Sequence, residues 1–204
     1  MVPLPIANGT YESESLPISA QSCINWYPNL VTTPALSQET LFGTPGALQL
    51  ATVGLINQDN RGVHEMGGIP YFVTNQTLYS LVQTIDAAGN ETFTTSTIGT
   101  ISGSERVFMA DNGTQLMIVT NGLGWIFTVS GGLTTISDAG FQANGTPETV
   151  VFISSFFVTT TDEKKAIISA PNDGTSWDSL DRIVAESDPD ALVGAINFKN
   201  QLFL

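Results

Sequence analysis

The sequence predicts an all-β fold, and three observations carry that prediction. Tyr71–Leu81 (YFVTNQTLYSL) alternates apolar and polar residues on both sides of a polar pause at Thr74-Asn75-Gln76, as a half-buried β-hairpin does. The pattern then returns: Met117–Asn121 leads into Trp125–Val129, Phe156–Thr160 leads into Ala166–Ser169, and Leu202-Phe203-Leu204 reads as the opening of a further copy. Aligned on Val73, Val119, Val158 and Leu204, the copies lie 46, 39 and 46 residues apart. Finally, 12% charged residues with 19 Gly and 10 Pro leave a neutral, Thr-rich, turn-rich composition that suits strands better than helices. A repeat of about 40–50 residues made of short strands reads as β-propeller blades. The expected architecture is a partial β-propeller, about three and a half blades of four-stranded antiparallel sheet, with an extended N-terminal arm.

In chain order, residues 1–50 form the arm. They hold six of the prolines (Pro3, Pro5, Pro17, Pro28, Pro34 and Pro45), which disfavours long central strands. Their apolar residues come in short packets such as Cys23-Ile24-Asn25-Trp26-Tyr27-Pro28. Aromatics with a polar tip suit an interface, so Trp26 and Tyr27, flanked by Asn25 and Asn29, are the candidate partner-binding residues. Packing of Trp26 and Tyr27 on the first blade is the plain alternative. Residues 51–204 form the blades.

The first repeat predicts strands near 61–66, 69–74, 77–83 and 91–98, with a turn at Asp86–Asn90. The second predicts 105–110, 115–120, 124–129 and 133–137, joined at Asp111-Asn112-Gly113, Asn121-Gly122 and Gly131-Gly132. Asn-Gly is a strong hairpin signal because both residues tolerate the positive φ of a type I′ turn. The third predicts 148–153, 155–160 and 165–169, with a weaker strand around Arg182-Ile183-Val184. The fourth opens at Leu192–Ile196. A short helical turn is expected only at Ser179–Arg182. Closed propellers need about four to eight blades, so a chain that stops inside a strand at Leu204 reads as one whose remaining blades lie beyond it.

Several classes are disfavoured by composition. A net charge of −13, from 19 acidic and 6 basic residues, does not suit phosphate neutralisation on nucleic acid. A single cysteine, Cys23, excludes an internal disulfide framework and points to synthesis in a reducing compartment. No apolar run approaches the roughly 20 residues of a membrane span, and the N-terminus lacks the features of a secretory signal. The Asn-x-Thr triplets at Asn8, Asn75, Asn90, Asn112 and Asn144 therefore read as turn residues.

Candidate chemistry is sparse. His64 is the one histidine, and a metal site or general base needs companions, so it reads as a strand histidine at a blade edge. Cys23 reads as a structural thiol. Asp173, Asp178, Asp181, Glu186, Asp188 and Asp190 cluster in turn-rich sequence without calcium-loop spacing and read as a solvated acidic loop. No cofactor motif occurs. Asn172-Asp173-Gly174-Thr175-Ser176-Trp177 resembles the Asp-box, a structural turn of sialidase-like propellers, with Asn172 in place of the Asp and Ala170 in place of the first Ser. Gly174 permits the tight turn and Trp177 packs into the blade. A carbohydrate-binding or carbohydrate-processing propeller of that kind is the rival reading. It requires arginines gathered on a substrate carboxylate, and the chain holds Arg61, Arg106 and Arg182.

Ser22–Asn29, Thr44-Pro45-Gly46, Arg61-Gly62, Tyr71-Phe72-Val73, Ile98–Ile101, Met109–Gly113, Asp173–Asp178 and Ala185–Asp190, in this order, resemble the packaged-DNA stabilisation proteins of P22-like short-tailed bacteriophages, the tail accessory factors of the tail hub. The resemblance spans nearly the whole chain, and its members are more than twice as long. It implies a structural, non-enzymatic virion protein made in the host cytoplasm. It also implies a homo-oligomeric, typically hexameric ring below the portal and head-to-tail adaptor. Such a ring retains packaged DNA, lets double-stranded DNA pass without specific binding, and seats the tail needle or fibres. No membrane is involved. The acidic charge would suit a channel wall that does not hold DNA.

Overall fold

The computed structural model describes residues 25–30, 39–54, 58–184 and 192–204. The chain divides into two compact units, Met1–Gln49 and Leu50–Leu204.

In the first unit, β1 (Trp26–Leu30) pairs antiparallel with β2 (Glu39–Gly43), from Trp26 opposite Gly43 to Leu30 opposite Glu39. Pro28 is tolerated because both strands of a two-stranded sheet are edges. The ends are tied by Thr44, whose backbone N–H and hydroxyl both donate to the Asn25 carbonyl. The arm thus carries a hairpin where the sequence predicts only extended chain.

The second unit is a series of antiparallel meanders. The first sheet takes β3 (Asn60–Met66), β4 (Ile69–Thr74), β5 (Thr77–Ile85) and β6 (Glu91–Thr100) in chain order. The second takes β7 (Phe108–Asp111), β8 (Gln115–Thr120), β9 (Leu123–Thr128) and β10 (Gly132–Thr135). After a one-turn helix α1 (Ala139–Gln142), the third takes β11 (Pro147–Ile153), β12 (Phe156–Thr161), β13 (Lys165–Ala170) and β14 (Asp173–Val184). The hairpin β15 (Ile196–Phe198) and β16 (Gln201–Phe203) follows. Strands β3, β7, β11 and β15 lie side by side, so each sheet presents its first strand to the next. Repeated four-stranded meanders stacked in this way are the propeller architecture the repeat predicts.

Each junction between sheets is apolar. Met66, Tyr71, Val73 and Leu78 of the first sheet pack with Leu116, Ile118, Trp125 and Phe127 of the second. Met117, Val119 and Ile126, on the opposite face of the second sheet, pack with Val150, Phe157, Ile167 and Trp177 of the third. Both faces of β8 are therefore buried, which explains its unbroken apolar run LMIV. Each fully buried large apolar side chain contributes about 1.5–3 kcal/mol. The aligned valines Val73, Val119 and Val158 occupy the second strand of each sheet and are all buried.

Some boundaries differ from the predicted ones. Ser179–Arg182 is not helical but belongs to β14, where pairing of Ile167 with Arg182 overrides local propensity. The helix lies instead at Ala139–Gln142, capped by the Asp138 carboxylate accepting from Gly140 N–H. Asp173, Asp178 and Asp181 are consequently strand residues, not loop residues; Glu186, Asp188 and Asp190 lie outside the described residues, as does Cys23. The fourth repeat's first strand begins at Ile196, not Leu192. β5 and β6 both run past their predicted ends.

Candidate functional site

Polar side chains of the second unit concentrate at the sheet junctions, in two seams. The first is built on Arg61 at the start of β3, only 6% exposed. Its Nε donates to the Glu105 carbonyl (2.7 Å), Nη1 to the carbonyls of Asn75 (2.9 Å) and Ile101 (3.0 Å), and Nη2 to the Ser102 carbonyl (3.3 Å) and Thr120 Oγ1 (3.2 Å). All five donors of the guanidinium are used. One side chain thereby ties the β4–β5 turn, the β6–β7 crossover and the end of β8. Burial pulls its proton affinity below the ordinary arginine value while the Glu105 charge opposes this, and it stays protonated. Gly62 follows because the β6–β7 crossover lies against it: a Cβ there would stand 2.5 Å from the Val107 carbonyl oxygen.

The second seam runs along the opposite ends of the strands. His64 Nε2 on β3 meets Asp111 Oδ2 on β7 at 2.6 Å, both half-buried. Asp111 Oδ1 accepts from Gly113 N–H, and Asn112 Oδ1 accepts from the backbone N–H of Thr114 and Gln115, which shapes the β7–β8 turn. From this turn Asn112 Nδ2 donates to the Asn172 carbonyl (3.1 Å), Gln115 Nε2 to Asp173 Oδ1 (3.4 Å), and Gly174 N–H donates to Gln115 Oε1 (2.9 Å). The seam therefore links the first sheet to the second and the second to the third.

The Asp-box-like turn forms the far end of this seam. Asn172 takes the positive φ of 55° at the β13–β14 turn. Asp173 Oδ1 accepts from Thr175 Oγ1 (2.7 Å) and Thr175 N–H (2.9 Å), and these bonds hold its carboxyl below the usual carboxylate range. Trp177 is buried and its indole N–H donates to the Gly174 carbonyl (2.8 Å). A Cβ on Gly174 would stand 2.5 Å from Ile126 Cδ1, so glycine there also serves the close approach of two sheets.

In the first unit, Trp26 is 53% and Tyr27 47% exposed, with Tyr27 stacked on Phe42 (ring centroids 5.9 Å apart). Asn25 carries a positive φ of 60° at the hairpin's entry, and Asn29 pairs in register with Thr40.

Two open clefts of about 480 and about 470 Å³ occur in the second unit. The first lies between α1 and β14 and includes Ser176, Asp178 and Asp181. The second includes Arg106, Phe108, Asn121, Glu148 and Thr149. His64 lines neither. The three arginines are dispersed: Arg61 is buried in its seam, Arg106 lies over the Phe108 ring, and Arg182 donates to the Ser179 carbonyl. The rival carbohydrate reading thus lacks its arginine cluster among the described residues. Among these residues no group of three His, Cys, Asp or Glu side chains gathers as a metal site, and no helix is long and apolar enough to cross a membrane.

The Asp-box-like stretch Asn172–Trp177 falls at the β13–β14 turn and the start of β14, and neither seam has a local signal in the sequence. The partners of Arg61 and His64 lie 14–59 residues away in sequence, beyond any local pattern.

Stacked four-stranded meanders joined by structural polar seams define a β-propeller-type protein. The family model described as "Bacteriophage P22 Gp10, beta-propeller" matches residues 2–204, and the chain belongs to that family, whose proteins are structural components of the phage that stabilise packaged DNA. Among solved structures, the chain is similar to PorZ, a bacterial surface component of the type-IX secretion system of Porphyromonas gingivalis. The identity is 10% and the TM-score 0.30, over 59% of this chain and 28% of that one. No curated protein matches the chain.

Proposed function

We propose that this protein is a subunit of a phage tail hub. Six copies form a ring below the portal and head-to-tail adaptor, close the DNA channel on the packaged genome, and seat the tail needle or fibres. Family membership supplies the class. The observation that carries the docking role is the exposed aromatic group Trp26, Tyr27 and Phe42 on an edge-only hairpin. A two-stranded sheet is marginal alone, and exposed aromatics with polar tips gain most when a partner covers them. Asn25 and Asn29 flank that group. The net charge of −13 fits a conduit that passes DNA without holding it. The test is the double substitution W26A/Y27A. It is expected to weaken assembly onto the adaptor by more than about tenfold while the thermal unfolding of the blades is unchanged. Assembly at wild-type affinity removes the docking role from this hairpin.

A further inference from the structure

We infer that the arm hairpin docks through the outer edge of β2, not that of β1, and that this edge takes an extended, uncharged, apolar strand of the partner. The inference rests on the docking role proposed above, which makes that partner the adaptor, and it names the backbone groups that would hold it.

The first observation is which backbone groups face outward. In an antiparallel pair, opposed residues alternate between those that bond each other and those whose N–H and C=O point away from the other strand. Thr44 N–H donates to the Asn25 carbonyl at 2.9 Å, which fixes the phase of the hairpin. From that bonded pair onward, Tyr27 with Phe42 and Asn29 with Thr40 face inward. Trp26, Pro28 and Leu30 face outward along one edge, and Glu39, Leu41 and Gly43 along the other. Pro28 has no N–H to give, so it suits an outward place and leaves the middle of the β1 edge without a donor. β2 contains no proline, so its outward donors and acceptors form an unbroken row. Among the described residues β2 bonds to β1 alone. Such a row is recognised by another extended backbone, through strand addition. A two-stranded sheet is marginal in water, and a third strand is what it lacks.

The second observation gives the character of the added strand. Register puts Trp26 opposite Gly43 on one face of the hairpin and Tyr27 opposite Phe42 on the other. The place across from Trp26 is open: a Cβ on Gly43 would meet nothing within 4 Å. A strand laid along β2 can set an apolar side chain into that space, toward the half-exposed Trp26 ring. Its next residue falls on the other face, beside Phe42, which is half-exposed and stacked on Tyr27. Both faces therefore call for apolar residues in succession, as in a strand buried on both sides. Charge points the same way. The strand ETLFG holds one acid and no base, in a chain of net charge −13, so an acidic segment is repelled.

The test replaces Leu41 in the full chain. L41P removes the outward N–H at the centre of β2 and leaves the bonds to β1, whereas L41A shortens the side chain and keeps the N–H. Adaptor binding, followed by sedimentation velocity, is expected to be at least about tenfold weaker for L41P than for L41A. Equal binding of the two overturns strand addition at β2. Hydrogen exchange of the wild type reads the same contact without a variant. Adding the adaptor is expected to slow the amides of Leu41 and Gly43 at least about tenfold and to leave those of Trp26 and Leu30 unchanged. Slowing of Trp26 and Leu30 instead, or of neither pair, overturns the assignment. So do Leu41 and Gly43 amides that are already slow without the adaptor, because another copy or the chain itself then holds the edge. W26A/Y27A separates the two levels. If it weakens binding while L41P matches L41A, the docking role stands and strand addition falls; if it binds as wild type does, both fall.

Discussion

Replacing Arg61 by methionine removes a cation whose five hydrogen bonds reach four backbone carbonyls and the Thr120 hydroxyl, and the structure allows the loss to be sized. The bonds to the Ile101 carbonyl and to Thr120 Oγ1 are fully buried; those to Glu105, Asn75 and Ser102 are partly open to water. In R61M the two buried acceptors lose their partner, at about 1–3 kcal/mol each, while water can reach the other three. Thr120 Oγ1 retains its own donation to the Arg106 carbonyl at 2.9 Å, which places its loss at the lower end. Burying the guanidinium has its own unfavourable desolvation, which R61M relieves. The two buried acceptors together cost about 2–4 kcal/mol, from which the relieved desolvation subtracts. In a unit of this size that is a fall of at most roughly 4–16 °C in melting temperature. R61K keeps the charge but offers three donors from one point, which cannot reach three segments, and should recover less than half of the loss. Urea unfolding followed by circular dichroism gives both values. An R61M midpoint within about 1 kcal/mol of wild type, or an R61K equal to arginine, would show that the fork holds nothing together.

Two further predictions concern single polar groups. Thr159 Oγ1 is fully buried without a hydrogen-bond partner, so T159V should stabilise the protein by about 1 kcal/mol in urea unfolding; T120V, at the matching place in the preceding sheet, should destabilise it by about 1–3 kcal/mol. Asp173 has a carboxyl held low by Thr175, so its contribution is complete above the unfolded value of about 3.9 and lost as pH falls through the lower folded value. Stability measured from about pH 5 to pH 2 should therefore fall less steeply in D173N than in wild type, and parallel curves would remove Asp173 from the seam.

The sequence made the hairpins legible because each carries its own local signal. Period-two alternation marks the β4–β5 hairpin, and Asn75 and Asn121 take the positive φ their turns require. The spacing of Val73, Val119 and Val158 exposed the repeat because each valine holds a buried position on the second strand of its sheet. β14 was illegible between Trp177 and Arg182, where Asp-Ser-Leu-Asp has poor strand propensity; the weak strand signal at Arg182-Ile183-Val184 marks the end that pairs with Lys165–Ile167. The arm hairpin was hidden by Pro28, which argues against a central strand and says nothing against an edge. The seams were illegible for a different reason. Arg61 and His64 sit in ordinary strand sequence, and their meaning lies in backbone carbonyls and an aspartate that only the stacking of sheets brings near.

The two junctions between complete sheets are not held alike, and the difference has a measurable consequence. The first junction is tied at both ends, by Arg61 to Thr120 and by His64 to Asp111. The second is tied at one end by Asn112 and Gln115 to the β13–β14 turn. At its other end, register places Val107 where the first sheet has Arg61, and Thr159 where the second has Thr120, so the matching strut is missing and the hydroxyl that would receive it is unpaired. The cleft that includes Arg106, Phe108, Asn121 and Thr149 lies at that end. Apolar contact fixes that sheets stack but is non-directional; hydrogen bonds between them resist opening. Native-state hydrogen exchange should therefore show the amides of Thr149 and Val150, at the start of β11, exchanging at least about tenfold faster than those of Gly62 and Val63, at the start of β3, through openings smaller than global unfolding. In R61M the two sets should converge, because the first junction then lacks its strut as well. If the β11 amides are protected as well as those of β3 in the wild type, packing alone holds both junctions and the polar seams only fill space.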